Sequence, residues 1–248
     1  MNIFNQFQYN DLKIRVNDLY ANAKYEFIYS FLSNKKNLLI LNAGCGSGEL
    51  SVKLAQKGHT VVNIDPVQEY IDLARKNIEN STVQNITFIN SSIEEYSERN
   101  KFDCVITTDV LEHIKDDRLA FQNLAQFVKS NGIIIVTVPA EPVLFGYHDK
   151  VLGHYRRYTA ESLINIIPSE VKIDHLRYFG WTLIPICIFY SKIVKKEYPV
   201  SQVGTNSFLR SLFKCLLVID KKVDLYAGTT LIALFHKADF SNLKENEK

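Results

Sequence analysis

One tryptophan, one methionine, four cysteines and six prolines in 248 residues are small numbers, and each narrows the field. Few prolines, ten glycines and no repeat exclude collagen-like, solenoid and low-complexity chains. Cys45, Cys104, Cys187 and Cys215 lie far apart, with no C-x-x-C spacing and no histidine at zinc-ligand intervals. They read as four buried free thiols in a reducing compartment. Met1 to Gln6 lacks a charged and apolar leader, so a cytoplasmic location is expected. Long apolar runs are missing too. Trp181 to Tyr190 is ten residues with Pro185 inside, against ~20 for a spanning helix. An excess of either charge is also absent: 29 basic and 27 acidic side chains leave +2, which argues against a nucleic-acid partner.

What is present is an alternation of elements. Residues 9–32 place Leu12, Val16, Leu19, Ala23, Phe27 and Phe31 near helical spacing, which predicts one or two helices before the first strand. LLILN (38–42) reads as a buried strand, then a glycine cluster, then the helix ELSVKLAQK stopped by Gly58. TVVNID (60–65) is a second strand, with Pro66 in the first turn of the following helix. ITFIN (86–90), FDCVITTD (102–109), a helix over 116–129 stopped by Asn131-Gly132, and IIIVTVP (133–139) continue the rhythm. Strands separated by helices imply right-handed crossovers and a parallel sheet covered on both faces, an α/β fold.

After Pro139 come a polar, aromatic loop (140–158), the short helix TAESLINII, a strand VKIDHLRYF, a mixed segment (180–226) and a last strand, TTLIALFHK (229–237). No linker interrupts the chain. One domain is therefore expected over 1–248, with N-terminal helices (1–37), a core of alternating strands and helices (38–140), and a loop and cap (141–228) before the last strand.

A glycine loop between a first strand and its helix brings backbone close to a ligand at a helix N-terminus. Here Gly44, Gly46 and Gly48 are followed by Glu49, where a dinucleotide fingerprint needs its third glycine. A carboxylate there opposes a pyrophosphate. Asp65, ending the second strand, is an acceptor suited to both hydroxyls of a ribose, and equally to capping the next helix.

NAGCGSGELSVKLAQKGHTVVNIDP, INSSIEEY, FDCVITTDVLEHIKDD and SNGIIIVTVP, in that order over residues 38–140, resemble the successive motifs of class I S-adenosylmethionine-dependent methyltransferases of small-molecule type. The resemblance implies a Rossmann-like seven-stranded sheet in the order 3-2-1-4-5-7-6, its last strand antiparallel, and S-adenosyl-L-methionine as cofactor. It puts Gly44, Cys45, Gly46 and Gly48 around the methionine part and Asp65, followed by Pro66, at the ribose. Ser92 and Ile93 stand at the adenine, and Thr108 and Asp109 on the floor near the sulfonium. Asn42, opening the first motif, replaces a frequent acid, and Ser92 replaces a common Asp. Both lose a charge and keep an acceptor.

A cofactor that brings an activated methyl leaves the protein to exclude water, align a nucleophile and take a proton. His113, His148 and His154 are the candidate bases, although a packed imidazole is the plainer reading of His113. Asp109, Glu112 and His113 resemble the acid-acid-His set proposed for a divalent metal in quinone-type O-methyltransferases. Adjacent side chains diverge on regular structure unless a turn converges them, and no metal is expected.

HDKVLGHYRRYT (148–159) follows the fifth strand, on the side where such sheets bind ligands. Arg156 and Arg157 suit a carboxylate or phosphate, and Tyr155 or Tyr158 a stacked ring; the plainer alternative ties one arginine to Asp149 or Glu141. FGWTLIPICIFYSKIVKK (179–196) joins an apolar, ring-bearing run to three lysines, and 207–219 is similar. Such segments usually pack as helices over a site, the alternative being a peripheral membrane contact through 179–196.

The expected function is transfer of a methyl group to an oxygen or nitrogen of a small-molecule acceptor: a sugar, a lipid-linked compound or another metabolite. A non-catalytic partner- or membrane-binding protein is a second reading, disfavoured by the retained glycine loop and Asp65. A nucleic-acid methyltransferase is a third, but TTDVLEHI stands where a base-holding Asn/Asp-Pro-Pro motif would follow the fourth strand. Residues 41–140 hold six of the 29 aromatic side chains and a net charge of −4, while 141–248 hold fifteen and +4. An acidic half suits a cationic sulfonium. The basic, ring-rich remainder suits an aromatic, sugar-like or anionic acceptor.

Overall fold

A computed structural model describes residues 3–79, 81–196 and 207–239. The strands are β1 (Leu39–Ala43), β2 (Thr60–Asp65), β3 (Ile86–Asn90), β4 (Phe102–Thr108), β5 (Val128–Pro139), β6 (Val171–Phe179) and β7 (Thr230–Lys237). They form one sheet in the order β3-β2-β1-β4-β5-β7-β6. The pairs from β3 to β5 are parallel, and β7 runs antiparallel to both β5 and β6.

Central strands are apolar on both sides because both sides are covered. Leu41, Val105, Ile134 and Val136 face one layer, with Phe121, Leu124 and Phe127 of α5 (Asp117–Phe127). Ile40, Cys104, Ile106 and Ile135 face the other, against Tyr25, Ile28 and Leu32 of α2 (Leu19–Leu32) and Leu50 and Leu54 of α3 (Glu49–Gln56). The alternation along each strand is the period-two pleat. α1 (Ile3–Ile14) docks separately, Leu12 meeting Tyr70 and Leu73 of α4 (Gln68–Glu79). α2 starts where the Asp18 carboxylate accepts from the Tyr20 and Ala21 amides.

The chain after β5 supplies α6 (Tyr147–Leu152), α7 (Ala160–Ile164), α8 (Ile184–Ile188) with a π-helical turn after it (Phe189–Val194), and α9 (Ser207–Lys222). Leu183, Cys187, Phe213 and Leu217 of this cap close over Phe179 and Ile232. Residues 197–206 of the expected cap and 240–248 of the polar tail lie outside the described residues.

Three local expectations are corrected. α4 begins at Gln68, because the Asp65 carboxylate accepts from the Val67 amide and holds Pro66 outside the helix. Asn131-Gly132 does not stop a helix: buried Val128 is already extended and pairs with Phe102, so β5 starts before it. Cys215 is exposed, while Cys45, Cys104 and Cys187 are buried.

Candidate cofactor and acceptor site

After Ala43 the backbone turns through Gly44 and Gly46, at φ +77° and +52°. A Cβ at Gly44 would lie 2.3 Å from Val110 Cγ2, and one at Gly46 2.9 Å from Leu12 Cδ2. Glycine is required there by conformation and by space. Glu49 opens α3 and accepts from the Ser47 hydroxyl at 2.6 Å, so a negative group already occupies this helix start.

Asp65 joins this loop to β2. Its carboxylate accepts from Gly46 N at 3.0 Å and from Val67 N at 3.0 Å. Burial pushes its pKa up to about 6 in spite of these two donors. Beside it opens a cavity of about 810 Å³, within the usual size of ligand pockets. Gly44, Cys45, Gly46, Asp65 and Pro66 line it, as do Thr108 and Asp109 at the end of β4. His113, His148, His154, Tyr155 and Arg157 line it as well.

Several residues that the sequence nominates stand elsewhere. Asn42 is buried behind the loop and donates to Ser51 Oγ at 2.8 Å, and Gly48 packs on Ala74. Ile93 lies in the core, and the Ser92 hydroxyl accepts from Glu95 N at 3.2 Å. None of these four lines the cavity. Arg156 and Tyr158, nominated for the acceptor, do not line it either. Both turn to Asp117 of α5, Arg156 at 2.7 Å and the Tyr158 hydroxyl at 2.8 Å, and the Tyr158 ring is 1% exposed. Arg157 follows the plainer alternative. Its Nε donates to Asp149 at 2.7 Å and its Nη1 to Ala140 O at 3.2 Å.

Asp149, fully buried, gathers this loop. It also accepts from Gly146 N at 2.9 Å and faces His154 Nδ1 at 2.9 Å. Burial works against its charge, but His154 and Arg157 outweigh it and pull its pKa to about 2. Opposite a carboxylate, Nδ1 carries the proton and Nε2 is the free acceptor. Burial, helped by His154, lowers His113 to about 3, and burial lowers His148 to about 4; both rings are neutral at pH 7.

Glu112 and His113 sit on the 3₁₀ turn Leu111–His113, which converges neighbours that a strand would separate. Among the described residues, Glu112, His113 and His154 bring one ligand atom each within 4.8 Å of one another. Both Glu112 carboxyl oxygens are buried without a hydrogen-bond partner, and burial with the nearby Asp109 charge raises this acid well above its usual range. One carboxyl group and two imidazoles make a donor set that fits a divalent cation. Asp109 is outside this group. It is paired with Lys24 and accepts from Thr137 Oγ1 at 3.1 Å, so the acid-acid-His grouping does not assemble.

The sequence motifs nominate no residue of the N-terminal helices, yet Gln8, Leu12, Arg15, Tyr20 and Lys24 line the cavity. Gln8 Nε2 lies 3.3 Å from His113 Nε2, and Arg15 is paired with Asp11 at 2.9 Å. Tyr20 is bonded to Thr229 Oγ1 and Thr230 Oγ1, at 2.6 and 2.8 Å. Lys24 had a legible signal: it shares an i, i+3, i+4, i+7 face with buried Ala21, Tyr25 and Ile28. An ammonium on such a face needs a partner.

Residues 34–172, more than half of the chain, match the model of a methyltransferase domain family. The chain is 35% identical over 112 residues to a protein of Rickettsia canadensis named ubiquinone biosynthesis O-methyltransferase, covering 45% of this chain and 47% of that one. It is 31% identical over 162 residues to a Rickettsia bellii protein of the same name, covering 63% and 67%. The match thus spans about half to two thirds of these relatives. Among solved structures, the N-methyltransferase NodS from Bradyrhizobium japonicum, in complex with S-adenosyl-L-homocysteine, superposes with a TM-score of 0.64 at 16% identity. That alignment covers 96% of this chain and 100% of NodS.

Proposed function

Since the chain belongs to the methyltransferase domain family, we propose that it binds S-adenosyl-L-methionine and moves its methyl group to an oxygen of a small-molecule acceptor. The observation that carries the reading is Asp65. It is a buried carboxylate that lines the cavity, tied to the glycine loop, at the end of the second strand. That is where two ribose hydroxyls need an acceptor. The bound cofactor supplies an electrophilic methyl carbon. This chain's residues hold it, exclude water and take the acceptor's proton.

His154 is the base we assign. Asp149 fixes its tautomer and ring orientation, leaving Nε2 to accept a proton. His113 and His148, whose lowered pKa values make them weak bases, serve as walls. The relatives' O-methyltransferase names favour oxygen over nitrogen as the acceptor atom. A second reading concerns the same corner: Glu112, His113 and His154 hold a divalent cation, a role favoured by the two unpartnered Glu112 oxygens.

Calorimetric titration with S-adenosylhomocysteine tests the cofactor assignment. Asp65→Ala is expected to lose at least tenfold in affinity, ~1.4 kcal/mol. Unchanged affinity would remove Asp65 from the site. Incubating a metabolite pool with protein and deuteriomethyl cofactor, then looking for a labelled species by mass spectrometry, identifies the acceptor.

A further inference from the structure

The cap has an outer surface that the cavity chemistry does not use. Its helices pack inward through Leu183, Cys187, Phe213 and Leu217. Their outward sides stay apolar. Ile188, Phe189 and Ile193 are 42%, 49% and 67% exposed. On α9, Leu212, Cys215 and Ile219 recur at i, i+3 and i+7, and Val223 continues the line; all four are exposed, beside the face that packs. More than half of the exposed large apolar side chains among the described residues fall between 188 and 226. Single apolar side chains on a surface are ordinary, but a concentration of them on one element group marks an interaction site.

The charges around these side chains are mostly basic. Lys192, Lys195 and Lys196 are exposed on the π-helical turn and just after it, and Lys214 and Lys222 on α9. Asp220 is turned inward, accepting from the Thr182 hydroxyl at 2.6 Å. That leaves Asp224 as the exposed acid of residues 188–196, α9 and the turn after it, among the described residues. Apolar side chains flanked by lysines complement an anionic bilayer surface, rings and branches entering the acyl boundary while ammonium groups stay with the headgroups. Among the described residues no helix is long and apolar enough to cross a membrane, so such contact is interfacial.

We propose that the outer face of the cap, Ile188–Lys196 together with α9, docks on an anionic lipid surface. Cys187 of α8 lines the cavity while the adjacent Ile188 faces out, so docking sets one wall of the cavity against the lipid. An acceptor with a long apolar tail then reaches the site without leaving the bilayer. This last step rests on the methyl-transfer reading; the docking does not.

Co-sedimentation with vesicles of phosphatidylcholine containing about 30% phosphatidylglycerol, and with pure phosphatidylcholine, tests the docking. The unmodified protein is expected to pellet with the anionic vesicles, and severalfold less with neutral ones or in ~0.5 M salt. Phe189→Asp with Ile193→Asp, and separately Leu212→Asp with Ile219→Asp, should each lose about fivefold or more of the binding. Charge reversal at Lys195 and Lys196 should do the same. Unchanged affinity for S-adenosylhomocysteine shows that each variant is folded. Protein that stays in the supernatant, or variants that pellet as the parent does, overturn the docking. A dimer seen by sedimentation velocity without vesicles, and lost in the same variants, overturns it in favour of a second copy of the chain. Vesicle binding without any cofactor binding leaves the docking standing and sinks the methyl-transfer reading instead.

Discussion

Lys24, in the middle of α2, forms an ion pair with Asp109, where the chain leaves β4. Asp109 sits at φ 54°, its amide donating to Thr137 O at 2.8 Å. Burial works against its charge, but the Lys24 ammonium outweighs this and holds the carboxyl below its usual range. A helix that precedes the sheet thus fixes the residue at the mouth of the site. Lys24→Met should cost about 2–4 kcal/mol by urea denaturation, since it leaves a largely buried carboxylate alone. Adding Asp109→Asn should recover much of that loss. Additive losses in the double variant would refute the pairing.

Cofactor affinity should depend on pH through Asp65. Its pKa is about 6, and only the carboxylate accepts from two hydroxyls at once. At pH 5 roughly one molecule in ten is ionised, so S-adenosylhomocysteine should bind about tenfold more weakly than at pH 7.5. Asp65→Asn should flatten this dependence. Folding stability has the opposite sign: a raised carboxyl contributes most below its unfolded pKa of about 4, and that contribution is lost as pH rises through about 6. A titration that is flat in the parent protein contradicts the assignment.

Gly44→Ala should abolish cofactor binding before it unfolds the protein. The added Cβ meets Val110 Cγ2 at 2.3 Å, and φ +77° disfavours any side chain. Val110 belongs to the loop that carries Glu112 and His113, so its displacement moves both. Loss of about 2–3 kcal/mol in stability with no measurable calorimetric binding is the expected result.

Tyr158→Phe separates packing from recognition. The hydroxyl reaches Asp117, away from the cavity, so the variant should lose about 1 kcal/mol in stability and keep its cofactor affinity. An altered choice of acceptor would reopen a direct contact.

Glu112→Gln tests the cation reading. Burial and the nearby Asp109 charge raise this acid well above its usual range, so the amide should preserve the fold within about 1 kcal/mol. Stabilisation of the parent by millimolar Mg²⁺ or Zn²⁺ in thermal melts, absent in the variant, supports a cation at Glu112, His113 and His154. Identical melts with and without metal dismiss it.

Much of the sheet could be read in advance because its strands leave little choice. TVVNID, ITFIN and VKIDHLRYF occupy β2, β3 and β6 with the expected bounds, each a β-branched or aromatic run between turn residues. The strand order followed from the motif resemblance and is the one observed. What escaped depends on which partner each group finds. Pro66 resembles a helix start until the Asp65 carboxylate takes the Val67 amide. Asn131-Gly132 resembles a helix stop until Val128 finds Phe102 across the sheet. Tyr158 and Arg156 carry the chemistry of a ligand wall, and only the approach of α5 with Asp117 turns them away. Lys24 is the reverse case: its place on an apolar helix face was visible, but its partner lies 85 positions ahead.

The place of β7 between β5 and β6 has a consequence for how the chain assembles. β6 has β7 as its sole strand neighbour in the sheet, and Thr229, just before β7, lies 50 positions beyond Phe179 at the end of β6. During synthesis each of β2 to β5 emerges with one neighbouring strand already made. β6 emerges with none. Until the later strand arrives, β6 is an unpaired edge, a state that invites pairing with other chains. Thr229 and Thr230, which hold Tyr20 at the cavity, arrive with that same strand. The candidate site is therefore among the last parts of the molecule to form, and a chain stalled before residue 229 has β1 to β5 paired, β6 without its partner and an incomplete cavity.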